Sequence, residues 1–221
     1  MPSSTIAEFA PAPLAVALGD PAGIGPEIVA KAWASRSDHG LQPFFAVGDA
    51  GSIGVHWPGP VARIAVPEDA IGVFDNALPV LHVVDCGPVT PGAPSTEGAR
   101  CALAALELAT GLTRSGAASA LVTAPVSKAA LYAIGFTFPG QTEFVAERCG
   151  VARENAVMML AGPTLRVVPV TTHIAFRDVI ARLTIDLIVA KTRATARGLV
   201  RDFGLVDPRI AVAGLNPHAG E

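Results

Sequence analysis

Two histidines stand directly after apolar, strand-like runs: His173 after Val170-Thr171-Thr172, and His218 in Gly214-Leu215-Asn216-Pro217-His218. Ligands in open α/β sheets collect at the carboxyl ends of strands, so both imidazoles occupy chemically useful positions. A lone histidine there is more often structural. Two in equivalent places can converge on one divalent cation, and imidazole suits zinc and other transition metals. Two ligands do not complete a catalytic zinc site, which usually takes three from protein. The third must come from a carboxylate, another subunit or further sequence. Of the remaining histidines, His39 and His56 fall in polar or Trp/Pro-rich loops and His82 falls inside an expected strand; none fits the pair.

Three further segments carry candidate chemistry. Gly19-Asp20-Pro21-Ala22-Gly23-Ile24-Gly25-Pro26-Glu27 joins a strand to a helix. Its glycines let backbone approach a ligand, and the helix start offers free N–H groups to an anion. It is neither G-x-G-x-x-G nor a Walker A loop. A tight structural turn and a ligand-lining loop are equally good readings, with Asp20 either a strand-tip carboxylate or a brace for its own turn. Phe138-Pro139-Gly140-Gln141-Thr142-Glu143-Phe144 presents the Gln141 amide and Thr142 hydroxyl at a helix start, able to hold a phosphate or hydroxyl. Thr142 serves equally as a plain N-cap. Lys128, in Thr123-Ala124-Pro125-Val126-Ser127-Lys128, offers a cation or is simply a solvated helix residue.

The elements that must position these residues alternate along the chain. Short apolar runs predict strands at 14–18, 44–47, 61–65, 81–84, 120–123, 156–160, 166–170 and 210–213, and helical patterns fall at 26–34, 97–114, 127–134, 142–149 and 185–202. Pro26 suits a first helical position, and Thr184 can cap the last helix, whose Ile185, Leu187, Ile188, the stem of Lys191 and Ala194 form an expected inward stripe. The alternation predicts an α/β fold with a largely parallel, twisted sheet. Asp85–Thr96, rich in Pro and Gly, reads as a long loop bordering a cleft.

At 221 residues the chain suits one large or two small domains. Its 51% hydrophobic and 16% charged content matches sheets covered on both faces. A net charge of -3 with no basic cluster argues against nucleic acid. Mean hydropathy is positive, yet no apolar run approaches the roughly 18 residues of a membrane span. The N-terminus lacks the positive region of a signal peptide. Cys86, Cys101 and Cys149 are widely spaced without CxxC, as reduced thiols of a cytoplasmic protein are.

Taken in order, G-D-P-A-G-I-G-P-E, V-T-A-P-V-S-K, G-Q-T-E-F, V-T-T-H-I-A-F-R-D-V and G-L-N-P-H-A-G-E resemble the 4-hydroxythreonine-4-phosphate dehydrogenase family over essentially the whole chain. The resemblance implies two α/β/α domains of the isocitrate/isopropylmalate dehydrogenase type, with a cleft between them and the active site at a homodimer interface. It implies a first domain at 1–124, completed by a later C-terminal segment, and a second at 125–221; the C-terminal part is expected to be missing. It further implies NAD or NADP as cofactor, and a divalent metal (Zn, Mg or Co) held by His173, His218 and a third histidine from that later segment, contributed by the partner. Gln141 and Thr142 match substrate-binding positions, where the family's usual pattern is G-H-T-E-F. Gln keeps a donor and an acceptor but cannot take up a proton. The implied reaction oxidises and decarboxylates 4-phosphooxy-L-threonine to 3-amino-2-oxopropyl phosphate for pyridoxal phosphate synthesis. The alternatives are a related dihydrodiol dehydrogenase of aromatic catabolism and a non-catalytic truncated fragment.

Overall fold

The computed structural model describes residues 11–152, 155–216 and 218. The terminal stretch at 1–10, and Pro217 and Ala219–Glu221 of the final motif, lie outside the described residues. The chain divides into two compact units, Met1–Thr137 and Phe138–Glu221.

The first unit is built on a five-stranded sheet. Its strands are β1 (Leu14–Ala17), β2 (Phe44–Gly48), β3 (Val61–Ile64), β4 (Leu78–His82) and β5 (Leu121–Thr123), in the order β3-β4-β2-β1-β5. Every pairing is parallel. The helices between them are α1 (Gly25–Ala34), α2 (Ala50–Gly54), α3 (Asp69–Val73) and α4 (Thr96–Ser115), with α5 (Lys128–Ala133) after β5. A parallel sheet needs crossovers on its faces, so its strands are apolar on both sides. Alternate residues separate the two faces. Val16, Leu18, Phe44, Ala46, Leu78 and Val80 join Val29, Ala30 and Trp33 of α1 in one cluster. Trp33 also donates its Nε1–H to the Phe74 carbonyl at 2.7 Å, so its one polar atom is satisfied inside this core. The opposite face meets α4, which packs on β1 and β2. There Ala99, Ala102, Ala105 and Ala109 recur at helical spacing and are all buried, and such small side chains let helix and sheet approach closely. Ser95 caps α4 by accepting from the Gly98 N–H at 3.0 Å, and Gly116 ends it at φ 83°.

In the second unit, α6 (Gln141–Arg148) precedes a two-stranded antiparallel pair, β6 (Leu160–Ala161) and β7 (Arg166–Val167). A 3-10 turn at Phe176–Asp178 leads into α7 (Val179–Arg182) and then α8 (Ile185–Phe203). Thr184 caps α8 as the sequence predicts, accepting from the Leu187 N–H at 3.2 Å. The inward stripe differs from expectation: Ile185 is 80% exposed, and the buried residues of α8 are Thr195 and Leu199. Ile185 lies about 40° from Leu199 around the helix axis, so its exposure comes from its place in the first turn, at the end of α8. Residues 210–213 are not a strand, and Val212 is 58% exposed. Apolar content supplies a strand's side chains, but only a neighbouring backbone makes it a strand, and among the described residues none pairs with this segment. No helix among the described residues is long and apolar enough to cross a membrane.

Candidate active site

The glycine-rich turn after β1 and the loop after β5 lie on the two strands between which the strand order reverses, the usual ligand position in such sheets. Here the two loops close on each other. The Asp20 N–H donates to the Pro125 carbonyl at 3.0 Å. A Cβ on Gly19, whose φ is +69°, would lie 2.2 Å from the Pro125 carbonyl oxygen, and one on Gly25 would lie 2.0 Å from the Leu18 carbonyl oxygen. Both glycines are therefore consumed by packing of backbone on backbone. Asp20, buried, turns its Oδ1 back to the Ala22 N–H at 2.9 Å. The turn is a structural brace, and the bracing reading of Asp20 prevails. The 85–96 loop docks on the same turn through the Gly92 N–H and Ala22 carbonyl, 2.8 Å apart. Lys128 opens α5 and is exposed, as a solvated helix residue would be.

A second polar cluster sits at the carboxyl ends of β2 and β4, where Asp49, His82 and Asp85 bring ligand atoms within 4.8 Å of one another. His82 is the last residue of β4, in register with Gly48, so it stands at the carboxyl end of the sheet rather than in its middle. Nδ1 accepts the Ala50 N–H at 3.2 Å, which leaves the ring proton on Nε2, 3.3 Å from Asp85 Oδ1. Asp85 also faces Arg63 at 3.9 Å. Asp49 caps α2, with Oδ1 2.8 Å from the Gly51 N–H, and accepts from the Cys86 thiol at 2.7 Å. The donor set suits a divalent cation, but every member already has a protein partner, so the cluster reads as a brace between two strand ends.

Its thiols carry a measurable consequence. Burial works to raise the Asp49 carboxyl, but the Cys86 thiol and the Gly51 and Cys86 N–H groups outweigh it and hold that carboxyl below its ordinary value. Burial, with Asp49 beside it, pushes Cys86 up, and burial with the Asp49 charge pushes Cys101 up to about 11. A raised thiol binds its proton more tightly folded than unfolded. The stabilisation is complete below the unfolded thiol value of about 8.5 and is lost as pH climbs from there through the folded value. Cys86 and Cys101 are buried and Cys149 is exposed. A disulfide reagent at pH 8 is expected to label Cys149 promptly and all three thiols only in denaturant. The urea midpoint is expected to fall between pH 8.5 and 11, and the fall to be shallower in Cys101→Ala. Prompt labelling of Cys101 in the native chain would contradict this packing.

The other sequence-derived residues belong to the second unit. Gln141 and Thr142 are the first two residues of α6, whose N-cap is Gly140 in extended backbone with no side-chain cap. Thr142 is thus not the N-cap. Glycine at that position removes the capping duty, and the hydroxyl stands within the first turn. Thr142 and His173 line one cavity of about 510 Å³, together with Glu143, Thr171, Thr172, Arg182 and Lys191. Gln141 and His218 are not among its lining residues. His173 has φ 56°, the one non-glycine residue in the left-handed region among the described residues. That conformation costs an L-residue about 1–2 kcal/mol and gathers at functional sites. His218 is exposed in a turn, its N–H donating to Asn216 Oδ1 at 3.1 Å. Sequence reasoning did not reach Arg182, which no motif spacing marks, and read Lys191 only as an apolar stem in the inward stripe of α8.

The chain is similar to several known proteins. The profile of the family described as pyridoxal phosphate biosynthetic protein PdxA matches residues 51–221. The 4-hydroxythreonine-4-phosphate dehydrogenase of Zymomonas mobilis is 58% identical over 209 residues, covering 95% of this chain and 62% of the relative. The Erythrobacter litoralis protein of the same name is 50% identical, covering 95% and 63%. A crystal structure of the Klebsiella pneumoniae 4-hydroxythreonine-4-phosphate dehydrogenase superposes with a TM-score of 0.82 at 32% identity, covering 95% of this chain and 65% of that one. A terephthalate 1,2-cis-dihydrodiol dehydrogenase from Burkholderia xenovorans gives 0.64 at 30% identity, covering 95% and 63%. The chain thus spans just under two thirds of the length of each of these proteins.

Proposed function

The chain belongs to the PdxA family of pyridoxal phosphate biosynthetic proteins, and from that premise we propose that it serves an NAD-dependent, divalent-metal-dependent oxidation and decarboxylation of 4-phosphooxy-L-threonine to 3-amino-2-oxopropyl phosphate. The observation that carries the reading is His173, kept in left-handed backbone on the wall of the cavity that also contains Thr142. An imidazole bound in a sparsely populated conformation fits a ligand whose direction matters more than its ease of folding.

His173 and His218 are the proposed metal ligands, with zinc, magnesium or cobalt as the ion and the remaining ligand supplied from elsewhere. The neutral imidazole suits zinc, and the hydroxyls of Thr142, Thr171, Thr172 and Thr184 on the same wall suit a polar substrate. When bound, the ion would supply Lewis-acid polarisation of the hydroxyl being oxidised. NAD or NADP would accept the hydride. The chain's own part is positional: Thr142 and Gln141 hold the substrate by hydroxyl and amide hydrogen bonds at the start of α6. The protein is proposed to act in the cytoplasm as a homodimer, as the family resemblance implies.

Gln141 favours a second reading, oxidation of a cis-dihydrodiol of aromatic catabolism, because it removes the titratable side chain from the G-H-T-E-F position. An assay of NADH formation with zinc and NAD⁺ separates the two. The first reading expects turnover of 4-phosphooxy-L-threonine and none of a carboxylated cis-dihydrodiol. The opposite preference would overturn it in favour of the second.

A further inference from the structure

We propose that residues 87–92 form a hinged lid over the cavity that lies between them and the glycine-rich turn after β1. The strap Gly87-Pro88-Val89-Thr90-Pro91-Gly92 docks on this turn on its way from β4 to α4. Both of its flanks are fixed. Buried Cys86 donates its N–H and its thiol to Asp49 Oδ2, at 3.3 and 2.7 Å, and Ser95 caps α4. Between these anchors the attachment is slight. Pro88, Pro91 and Pro94 have no N–H to give. The Ala93 N–H stays within the loop, on the Thr90 carbonyl at 3.1 Å. Among the described residues, the one hydrogen bond from 87–94 to the rest of the fold runs from the Gly92 N–H to the Ala22 carbonyl. Every residue of 87–94 is exposed apart from Val89, which is half-buried. A segment so weakly bonded opens at a small fraction of the free energy of global unfolding.

The ends of the strap have the chemistry of joints. Gly87 and Gly92 stand at φ 72° and 77°, and nothing lies within 4 Å of a Cβ built on either. Close packing therefore does not call for glycine at these two places, as it does at Gly25; the backbone conformation does. Between them Pro88 and Pro91 hold φ fixed. The rotation of an opening strap falls on the two glycines, and the piece between them moves as a stiff unit. Val89 and Thr90 roof a cavity of about 160 Å³, whose other walls include Pro21, Ala22, Cys86 and Ser95. That closed volume lies below the roughly 300 Å³ of usual ligand sites. A ligand enters beside the strand-order reversal only when the strap lifts. The lid is independent of the reaction proposed above.

Amide hydrogen exchange of the 221-residue chain, followed by NMR, tests the lid. The reference is the Leu18 amide, tied to the Val47 carbonyl at 3.0 Å. The Gly92 amide is expected to exchange at least about a hundredfold faster, at a rate insensitive to low urea, because local opening exposes little surface. Gly87→Ala is the decisive variant. Alanine in left-handed backbone carries strain worth about tenfold in an equilibrium constant, and a joint releases that strain on opening. Exchange at Gly92 should therefore quicken about tenfold. Gly116→Ala is the control, since it places the same strain in open space at the end of α4, at φ 83°. It should lower the urea midpoint and leave Gly92 exchange unchanged. Val89→Ala removes the half-buried side chain of the lid without backbone strain, and it too should quicken exchange at Gly92. A Gly92 amide that matches Leu18 in rate and urea dependence would show that the strap opens only on global unfolding, and would overturn the lid. An unchanged Gly92 rate in Gly87→Ala or in Val89→Ala would overturn it as well, because strain or contacts kept on opening place the joints elsewhere.

Discussion

His173→Ala is expected to abolish zinc-dependent NADH formation, with a loss of at least about a thousandfold, because polarisation of the reacting oxygen by a bound ion is worth several kcal/mol. The same substitution should remove tight zinc binding, measured by calorimetry on a protein that also carries the remaining ligand. The left-handed backbone of this residue complicates a simple alanine test, since any change there also alters strain. Asparagine resolves it. Asn tolerates the left-handed region several-fold better than most residues, so His173→Asn should keep the thermal midpoint while losing the metal. A variant that folds normally and still binds zinc would show that the strained imidazole is not a ligand. His218→Ala should match the His173 result in metal binding. Zinc binding unchanged in His218→Ala would mean that the two imidazoles do not share one ion.

What sequence could reveal depended on which physical signal each element carried. The helices α1 and α8 were legible because apolar patterning and start signals coincide: Pro26 at the start of α1 and Thr184 just before α8. The strands of the parallel sheet were legible as short apolar runs, with β4 three residues earlier than expected because Pro79 sits within it. The 210–213 segment shows the limit of that reasoning, since composition cannot reveal whether a pairing partner exists. His82 was set aside as a strand residue. Only the register with Gly48 shows that it stands at the strand's last position, within reach of Asp49 and Asp85. In the site, His173 was marked by its place after an apolar run and Thr142 by its helix start. Arg182 was not marked and Lys191 was read only for its apolar stem, because sequence does not show which cations of successive helices line one cavity. The glycine-rich turn stayed open between its two readings: glycine tolerates close approach, but sequence does not say whether ligand or backbone approaches.

That ambiguity is open to the second strong test, because Gly25→Ala is expected to cost about 3 kcal/mol or more, read as a drop in the urea midpoint. Gly25 does not have positive φ, so backbone conformation is not what forbids a side chain there. Space is. The added Cβ would stand 2.0 Å from the Leu18 carbonyl oxygen and 3.1 Å from the Ala124 Cβ. Neither neighbour can swing aside as a long side chain would. Leu18 is tied into the sheet by its N–H on the Val47 carbonyl at 3.0 Å, and Ala124 by its N–H on the Ala17 carbonyl at 2.9 Å. Relief must therefore come from moving α1 off the strand end, which opens the cluster holding Val29, Ala30 and Trp33. Gly19→Ala adds positive-φ strain to a 2.2 Å clash and should be no milder. Gly111→Ala supplies the control. Gly111 lies within α4 with nothing inside 4 Å of its would-be Cβ, so alanine there should stabilise by about 0.5–1 kcal/mol. A Gly25→Ala protein as stable as Gly111→Ala would mean that the turn is looser than described, and its glycines would again be available to a ligand.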